Sequence, residues 1–353
     1  MTPADGHWQP AGDGRLRIGL AGLGSMGRNH LRVISARPDV DLVAVADPVA
    51  DVLAAAVAQV GAQGFEEPLA MVAETELDAL VIAAPTTAHL DLALAAIGRG
   101  VAILVEKPLA GTVDEAFQIV DAARARGVPV QVGHVERFNP AVLELGRLLA
   151  AGWLSTVYSI SSRRAGPFPA RIRDVGVTVD LATHDVDILS WIAGERPVRV
   201  YAETAQRIHA THEDLLYGLL HFPSGVVAQL DVDWLTPAKR RQLTVIGEEG
   251  MFELDFLTQR LTFTKAAGLE NPRLIDGYAP TFEGDMAVLP VSSGEPLAAE
   301  LEAFLDVVRH GGRPPVDGED GLWAVAIANG LLEAAAARTP ADLSDLPARI
   351  STR

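Results

Sequence analysis

Residues 177–189, VTVDLATHDVDIL, set four ionisable side chains among apolar ones. On a helix, Asp180, His184 and Asp187 fall at i, i+4 and i+7 and share one face. Ala182, Val186 and Leu189 fall on another, which can pack into a core. A histidine between two carboxylates can do three things. It can bind a metal together with both acids. It can move a proton near neutral pH. It can also sit in a cluster of ion pairs and do no chemistry.

A second constellation lies near the start. RIGLAGLGSMGRNH reads as a strand that enters Gly22-x-Gly24-x-x-Gly27 and then a helix, with Ser25 and Met26 inside the turn. Such glycines allow a tight turn, close approach of a pyrophosphate to the backbone, and close helix–strand packing. The helix N-terminus then faces the phosphates. Asp47 closes the next strand, twenty residues after Gly27, where a carboxylate accepts hydrogen bonds from the adenosine ribose. The competing reading is a glycine turn followed by an Asp-Pro turn. A carboxylate at Asp47 repels a 2′-phosphate, and ADPVAD supplies no arginine. The expected cofactor is NAD rather than NADP.

The third is VAILVEKPLAG, an apolar strand ending in Glu106, Lys107 and Pro108. Ligands of open α/β sheets bind outside the carboxyl ends of the strands. An ammonium at Lys107 can therefore hold a substrate oxygen as negative charge develops on it. Taken alone, Lys107 reads first as a surface lysine at a strand exit.

These residues need a frame. From residue 15 to about 133, the short apolar runs LRIGLA, DLVAVAD, DALVIAA, VAILVE and VPVQVG alternate with Ala- and Leu-rich helical segments. Strands spaced by helices predict a parallel, doubly wound sheet, and runs apolar throughout suit strands buried on both faces. After Gly152 the pattern changes. In GVVAQLDVDWL, Val226, Ala228, Leu230, Val232 and Trp234 alternate with Val227, Gln229, Asp231 and Asp233. DLLYGLLHF precedes it across PSG, and RQLTVIG and MFELDFL are joined by EEG, which predicts an antiparallel meander. Two helical segments close the chain, and KAAGLENPRLIDGYAP reads as a loop. The fold class is α/β: an N-terminal Rossmann domain at 15–134 after a flexible tail at 1–14, then an α+β domain at 135–353.

Composition narrows the function. The 353 residues are 49% hydrophobic, enough for about two cored domains. The absence of cysteine excludes disulfides, thiolate nucleophiles and iron–sulfur ligation and fits a reducing cytoplasm, the expected location. The N-terminus does not read as a signal peptide, and no apolar run approaches the ~20 residues of a membrane span. A net charge of −17 disfavours nucleic acid and anionic membranes as partners. GxxxxGK[ST], HExxH and GxSxG motifs are missing.

GLGSMGRNH, AAPTTAHLDLALAAIGRGVAILVEKPLA, VGHVERFNPA and DLATHDVDIL occur in that order. Through them the chain resembles the glucose–fructose oxidoreductase/inositol dehydrogenase/rhizopine-catabolism (Gfo/Idh/MocA) family of sugar dehydrogenases. The resemblance implies a Rossmann domain followed by a domain with a large open, mostly antiparallel sheet, often used for homodimer or homotetramer contacts. It implies Lys107, Asp180 and His184 as the catalytic set, with Ala182 where the family has glycine. It needs no metal and leaves Asp187 a structural role. It puts Pro85, Thr86 and His89, with Glu106 and Lys107, beside the nicotinamide. His89 by itself reads as a packing or capping histidine. GHVERFNPA and residues 163–189 further resemble dehydrogenases that oxidise the 3-hydroxyl of UDP-linked hexoses. Arg137, Arg164, Arg171 and Arg173, with Arg163 nearby, would then grip a diphosphate, or else form surface and subunit salt bridges. A free polyol dehydrogenase, the reverse 3-ketosugar reductase, an NAD-using glycosidase and a non-catalytic dinucleotide sensor are the alternatives.

Overall fold

The computed structural model describes residues 8–169, 175–266, 284–346 and 348. The chain divides into two compact units: 1–135 with 295–326 and 346–353, and 136–294 with 327–345.

In the first unit β1 (Leu16–Ala21), α1 (Ser25–Ser35), β2 (Val40–Ala46), α2 (Ala50–Val60), β3 (Gln63–Phe65), α3 (Pro68–Glu74), β4 (Ala79–Ile82), α4 (His89–Gly98), β5 (Ala102–Glu106), α5 (Val113–Arg126) and β6 (Val130–Gly133) alternate. The six strands are parallel in the order β3-β2-β1-β4-β5-β6, the doubly wound nucleotide-binding order. Ile18, Leu20, Val81 and Leu104 feed a core shared with Leu31 and Ile34 of α1 and Leu53 of α2. Leu80, Ile82, Ile103 and Val105 alternate to the opposite face and are equally buried. The α5 start carries a capping box in which Thr112 and Glu115 each bond the other's backbone.

The second unit begins with α6 (Pro140–Ala150), β7 (Val157–Pro167) and α7 (Thr183–Ala193). Then come β8 (Arg199–Ala205), β9 (Leu215–His221), β10 (Val227–Asp233), β11 (Leu235–Gly247), β12 (Gly250–Asp255), β13 (Arg260–Lys265) and β14 (Met286–Leu289). After α8 (Pro296–His310) and α9 (Gly318–Ala337), β15 (Ala341–Asp342) completes a nine-stranded sheet, β14-β13-β12-β11-β7-β10-β9-β8-β15. All pairs are antiparallel except β7–β10. The alternation in β10 holds over most of its length: Ala228, Leu230 and Val232 are buried and Val227 and Gln229 are exposed, but Asp233, expected on the outer side, is buried.

Three features differ from the sequence reading. The meander is interrupted, because β7 inserts between β10 and β11. Its inward positions include Ser162 and Arg164, so apolar alternation could not reveal it. The C-terminal segment is shared. Residues 295–326 belong with the first unit, since Leu297, Leu301, Phe304, Leu305 and Val308 of α8 join the core against α1. The described part of the N-terminal tail is anchored. The N–H groups of Trp8, Ala11 and Gly12 donate to the carbonyls of Arg126, Val308 and Arg309. Most of the predicted loop at 265–280 lies outside the described residues.

Candidate active site

The glycine loop shows why Gly22 and Gly27 are needed. Gly22 has φ +89°, and a Cβ there would strike the Ala83 carbonyl and the Ala84 nitrogen. A Cβ on Gly27 would overlap the Gly22 carbonyl oxygen. Gly24 is different: nothing lies within 4 Å of where its Cβ would be. It is the extended N-cap of α1, whose first turn has no capping side chain and no acid. The helix therefore presents unspent N–H groups and the positive end of its dipole beside open space, a cradle for a pyrophosphate. Ser25 is exposed there and Met26 half-buried. Asp47 accepts the Leu23 N–H at 2.7 Å and the Val49 N–H at 2.9 Å. A carboxylate has about four lone-pair sites, so Asp47 can shape the loop and still accept ribose hydroxyls. These residues fit the adenosine diphosphate half of NAD.

At the carboxyl end of β5, Lys107 is half-buried and Glu106 buried. The His30 Nε2 of α1 lies 2.7 Å from Glu106 Oε1. His89 is buried, with its two ring nitrogens 2.9 Å from the Pro108 carbonyl and 3.0 Å from the Ala84 carbonyl. It clamps the loop after β4, with exposed Pro85 and half-buried Thr86, to the turn that follows Lys107. Burial pulls the His89 pKa down, against the two carbonyls, which favour the protonated ring. His89 thus occupies the packing role.

In the second unit, the opening constellation begins in a wide π-helical turn, Thr178–Ala182, which runs into α7. Its start is held by Glu213. The Val177 N–H donates to the Glu213 backbone carbonyl at 3.0 Å and the Thr178 N–H to its carboxylate at 3.1 Å. Any side chain at Gly176 would collide with that carboxylate. Asp180 and His184 come out half-buried.

The two other acids turn inward. Asp187 takes a bidentate pair from Arg137, at 2.7 and 3.0 Å. Asp185 accepts from Ser162 and from Arg164 Nε at 2.7 Å, while Arg164 Nη1 reaches Glu136 at 2.9 Å. Burial lowers the Arg164 pKa, but Asp185 and Glu136 outweigh it, so the net direction is up. Arg137 and Arg164, expected to grip a diphosphate, instead spend their guanidinium groups on buried carboxylates. Arg137 also stacks on Trp191 and Arg164 on Phe256. Arg163 pairs with Asp231 at 3.1 Å. Arg171 and Arg173 lie outside the described residues.

Sequence reasoning missed Arg241. Its guanidinium lies 3.3 Å from Glu136, with the side chain 34% exposed. Burial and then Arg164 lower its pKa, against Glu136, Asp185 and Asp180, so it sits within electrostatic reach of Asp180. Lys239-Arg240-Arg241, three cations in a row in an acidic chain, was the available signal.

Two family models cover most of the chain. An oxidoreductase family with an NAD-binding Rossmann fold matches residues 16–134, and the GFO/IDH/MocA C-terminal domain matches 142–253. The chain belongs to the Gfo/Idh/MocA oxidoreductase family. As a member of that family it is a dehydrogenase, and its cofactor is NAD. Inositol 2-dehydrogenase 2 of Saccharopolyspora erythraea is 28% identical over 94% of this chain and 97% of its own. UDP-N-acetylglucosamine 3-dehydrogenase of Acidithiobacillus ferrooxidans is 28% identical over 83% of this chain and 88% of its own. A solved structure of that second enzyme has a TM-score of 0.81 at 26% identity, covering 92% of this chain and 98% of the other. Among the described residues, no helix of this Gfo/Idh/MocA protein is long and apolar enough to cross a membrane.

Proposed function

We propose that the protein oxidises a secondary hydroxyl of a sugar to a ketone, with Lys107, Asp180 and His184 as its catalytic set. The observation that carries this is the sorting of acids around α7. Asp185 and Asp187 are buried in arginine pairs, while Asp180 and His184 are kept partly in solvent on a segment pinned by Glu213. NAD, when bound, accepts the hydride. A ring nitrogen of His184 takes the hydroxyl proton. The Lys107 ammonium donates a hydrogen bond to the same oxygen as negative charge grows on it. Asp180 orients the substrate or the lysine.

We take the substrate to be a UDP-linked hexose, oxidised at C3. Similarity to the UDP-N-acetylglucosamine 3-dehydrogenase supports this, and Arg241 supplies a partly exposed guanidinium for the diphosphate. A free polyol of the inositol type is the second reading. It is favoured by the burial of Arg137 and Arg164 and by the inositol dehydrogenase relative. Nicotinamide absorbance after mixing with NAD and UDP-glucose, UDP-N-acetylglucosamine, their uronic acids or myo-inositol decides between them. Reduction with inositol alone sinks the nucleotide-sugar reading.

Arg241→Ala is expected to raise KM for the UDP-hexose about 10- to 100-fold, the worth of a charge-assisted hydrogen bond, with kcat little changed. An equal KM rise for an uncharged sugar would instead put the arginine at the reacting carbon. The open face of the large sheet exposes Tyr217, Leu219, Val227 and Ile246. We take it as the surface through which copies associate as a homodimer or homotetramer. The cytoplasm remains the proposed location.

A further inference from the structure

Glu300 is fully buried on α8, and neither carboxylate oxygen has a hydrogen-bond partner among the described residues. Its ligand atoms, with those of Glu106 and His30, lie within 4.8 Å of one another. Gln131 of β6 spends its amide nitrogen on the Glu300 backbone carbonyl at 2.9 Å, and its side-chain oxygen is buried without a partner. The titratable groups gathered around this point are His30 from α1, Glu106 and Lys107 from the end of β5, and Glu300 from α8. His134 is buried just past β6, and His89 feels the charge of Glu106.

Two buried carboxylates this close do not both ionise. Glu106 is the one equipped to carry the charge, because His30 bonds it and its side chain keeps 10% exposure. Among the described residues, no cationic side chain pairs with Glu300. Burial first, and then the charge of Glu106, push its carboxyl well above the ordinary range. As a neutral acid it becomes a potential donor whose ligand oxygen lies within 4.8 Å of that of Glu106, which removes the repulsion of a doubly charged pair.

We propose that Glu300 is a positioning residue. Held as a neutral carboxylic acid, it fixes Glu106 as a single anion between itself and His30, and so sets the backbone that presents Lys107. The role of Lys107 in this statement rests on the function proposed above. The protonation of Glu300 does not, and the two are tested separately.

The first readouts need no substrate. At neutral pH, infrared spectroscopy of the whole protein shows the carbonyl stretch of a neutral carboxylic acid, and Glu300→Gln removes it. Thermal unfolding of the parent and this variant across pH gives the sign. Folded protein keeps a proton on Glu300 that unfolded chain loses above the usual 4.5, so Glu300 costs stability as pH rises. Glutamine has no such proton. The melting temperature of Glu300→Gln therefore pulls ahead of the parent's, and the gap widens with pH. A gap independent of pH, or no acid band in the parent, overturns the neutral-acid assignment. So does a stoichiometric divalent metal in the purified protein, released by chelator, since His30, Glu106 and Glu300 would then be its ligands.

The positioning role is read from kinetics. Glu300→Leu lowers kcat at least about tenfold with sugar KM little changed, and Glu300→Gln, which keeps a donor, restores most of it. Equal kcat in parent, leucine and glutamine variants would overturn the link to Lys107 and leave the protonation result standing.

Discussion

His184→Ala lowers kcat for sugar oxidation about 10²- to 10⁴-fold, the worth of a positioned general base, while NAD binds as before. The ring sits on α7, whereas the residues proposed to hold NAD, the Gly24 loop and Asp47, belong to the first unit, so the two properties are expected to separate. Lys107→Ala produces a comparable fall in kcat, because the oxygen is left without its charged donor as it becomes negative. Titration calorimetry with NAD, run beside the kinetics, completes the measurement. Variants that lose NAD binding along with turnover would point to a fold defect. A parent and a Lys107→Ala variant that both bind NAD and are equally inert with every sugar would favour the dinucleotide sensor.

Asp185→Ala destabilises the second unit by about 3–5 kcal/mol, the cost of stranding a buried charge. Arg164 is 2% exposed and depends on Asp185 and Glu136 for its compensation. Glu136 is already shared with Arg241. For a unit of this size the loss lowers the midpoint of thermal unfolding by roughly 6–20 °C. The double variant Arg164→Met/Asp185→Leu is expected to recover a large part of it, since a buried ion pair is often replaced by packed apolar groups at little cost. A cycle in which the two substitutions simply add would refute the pairing as the source of the loss. The same variants report on function. If Arg164 held a diphosphate, Arg164→Met would raise KM for a UDP-sugar. Buried on Asp185, it acts through stability instead.

Much of the first unit is legible along the chain because its determinants are local. GLGSMG is a strand, a turn and a helix start within a few residues, and Gly22 and Gly27 answer to backbone geometry within or beside that turn. Asp47 follows the same logic, one strand later. The fully apolar strands announce burial on both faces. The second unit is less open to reading where buried positions are polar. Nothing in SSRRAG tells a strand from a basic loop until Ser162 and Arg164 are seen to meet Asp185. Arg137, read as a ligand for phosphate, finds Asp187 fifty residues away.

Residue types and their spacing were therefore enough for the Rossmann fold and the choice of NAD, and the family resemblance nominated Lys107, Asp180 and His184. In each case the chemistry depends on neighbours a few positions apart, or on a motif with a known geometry. The fate of the arginines, the insertion of β7, the return of α8 to the first unit and the meeting of Glu300 with Glu106 and His30 required the folded chain. Long-range pairings are set by packing and by the high cost of an uncompensated buried charge. That cost selects partners by proximity in space, and sequence separation carries no trace of it.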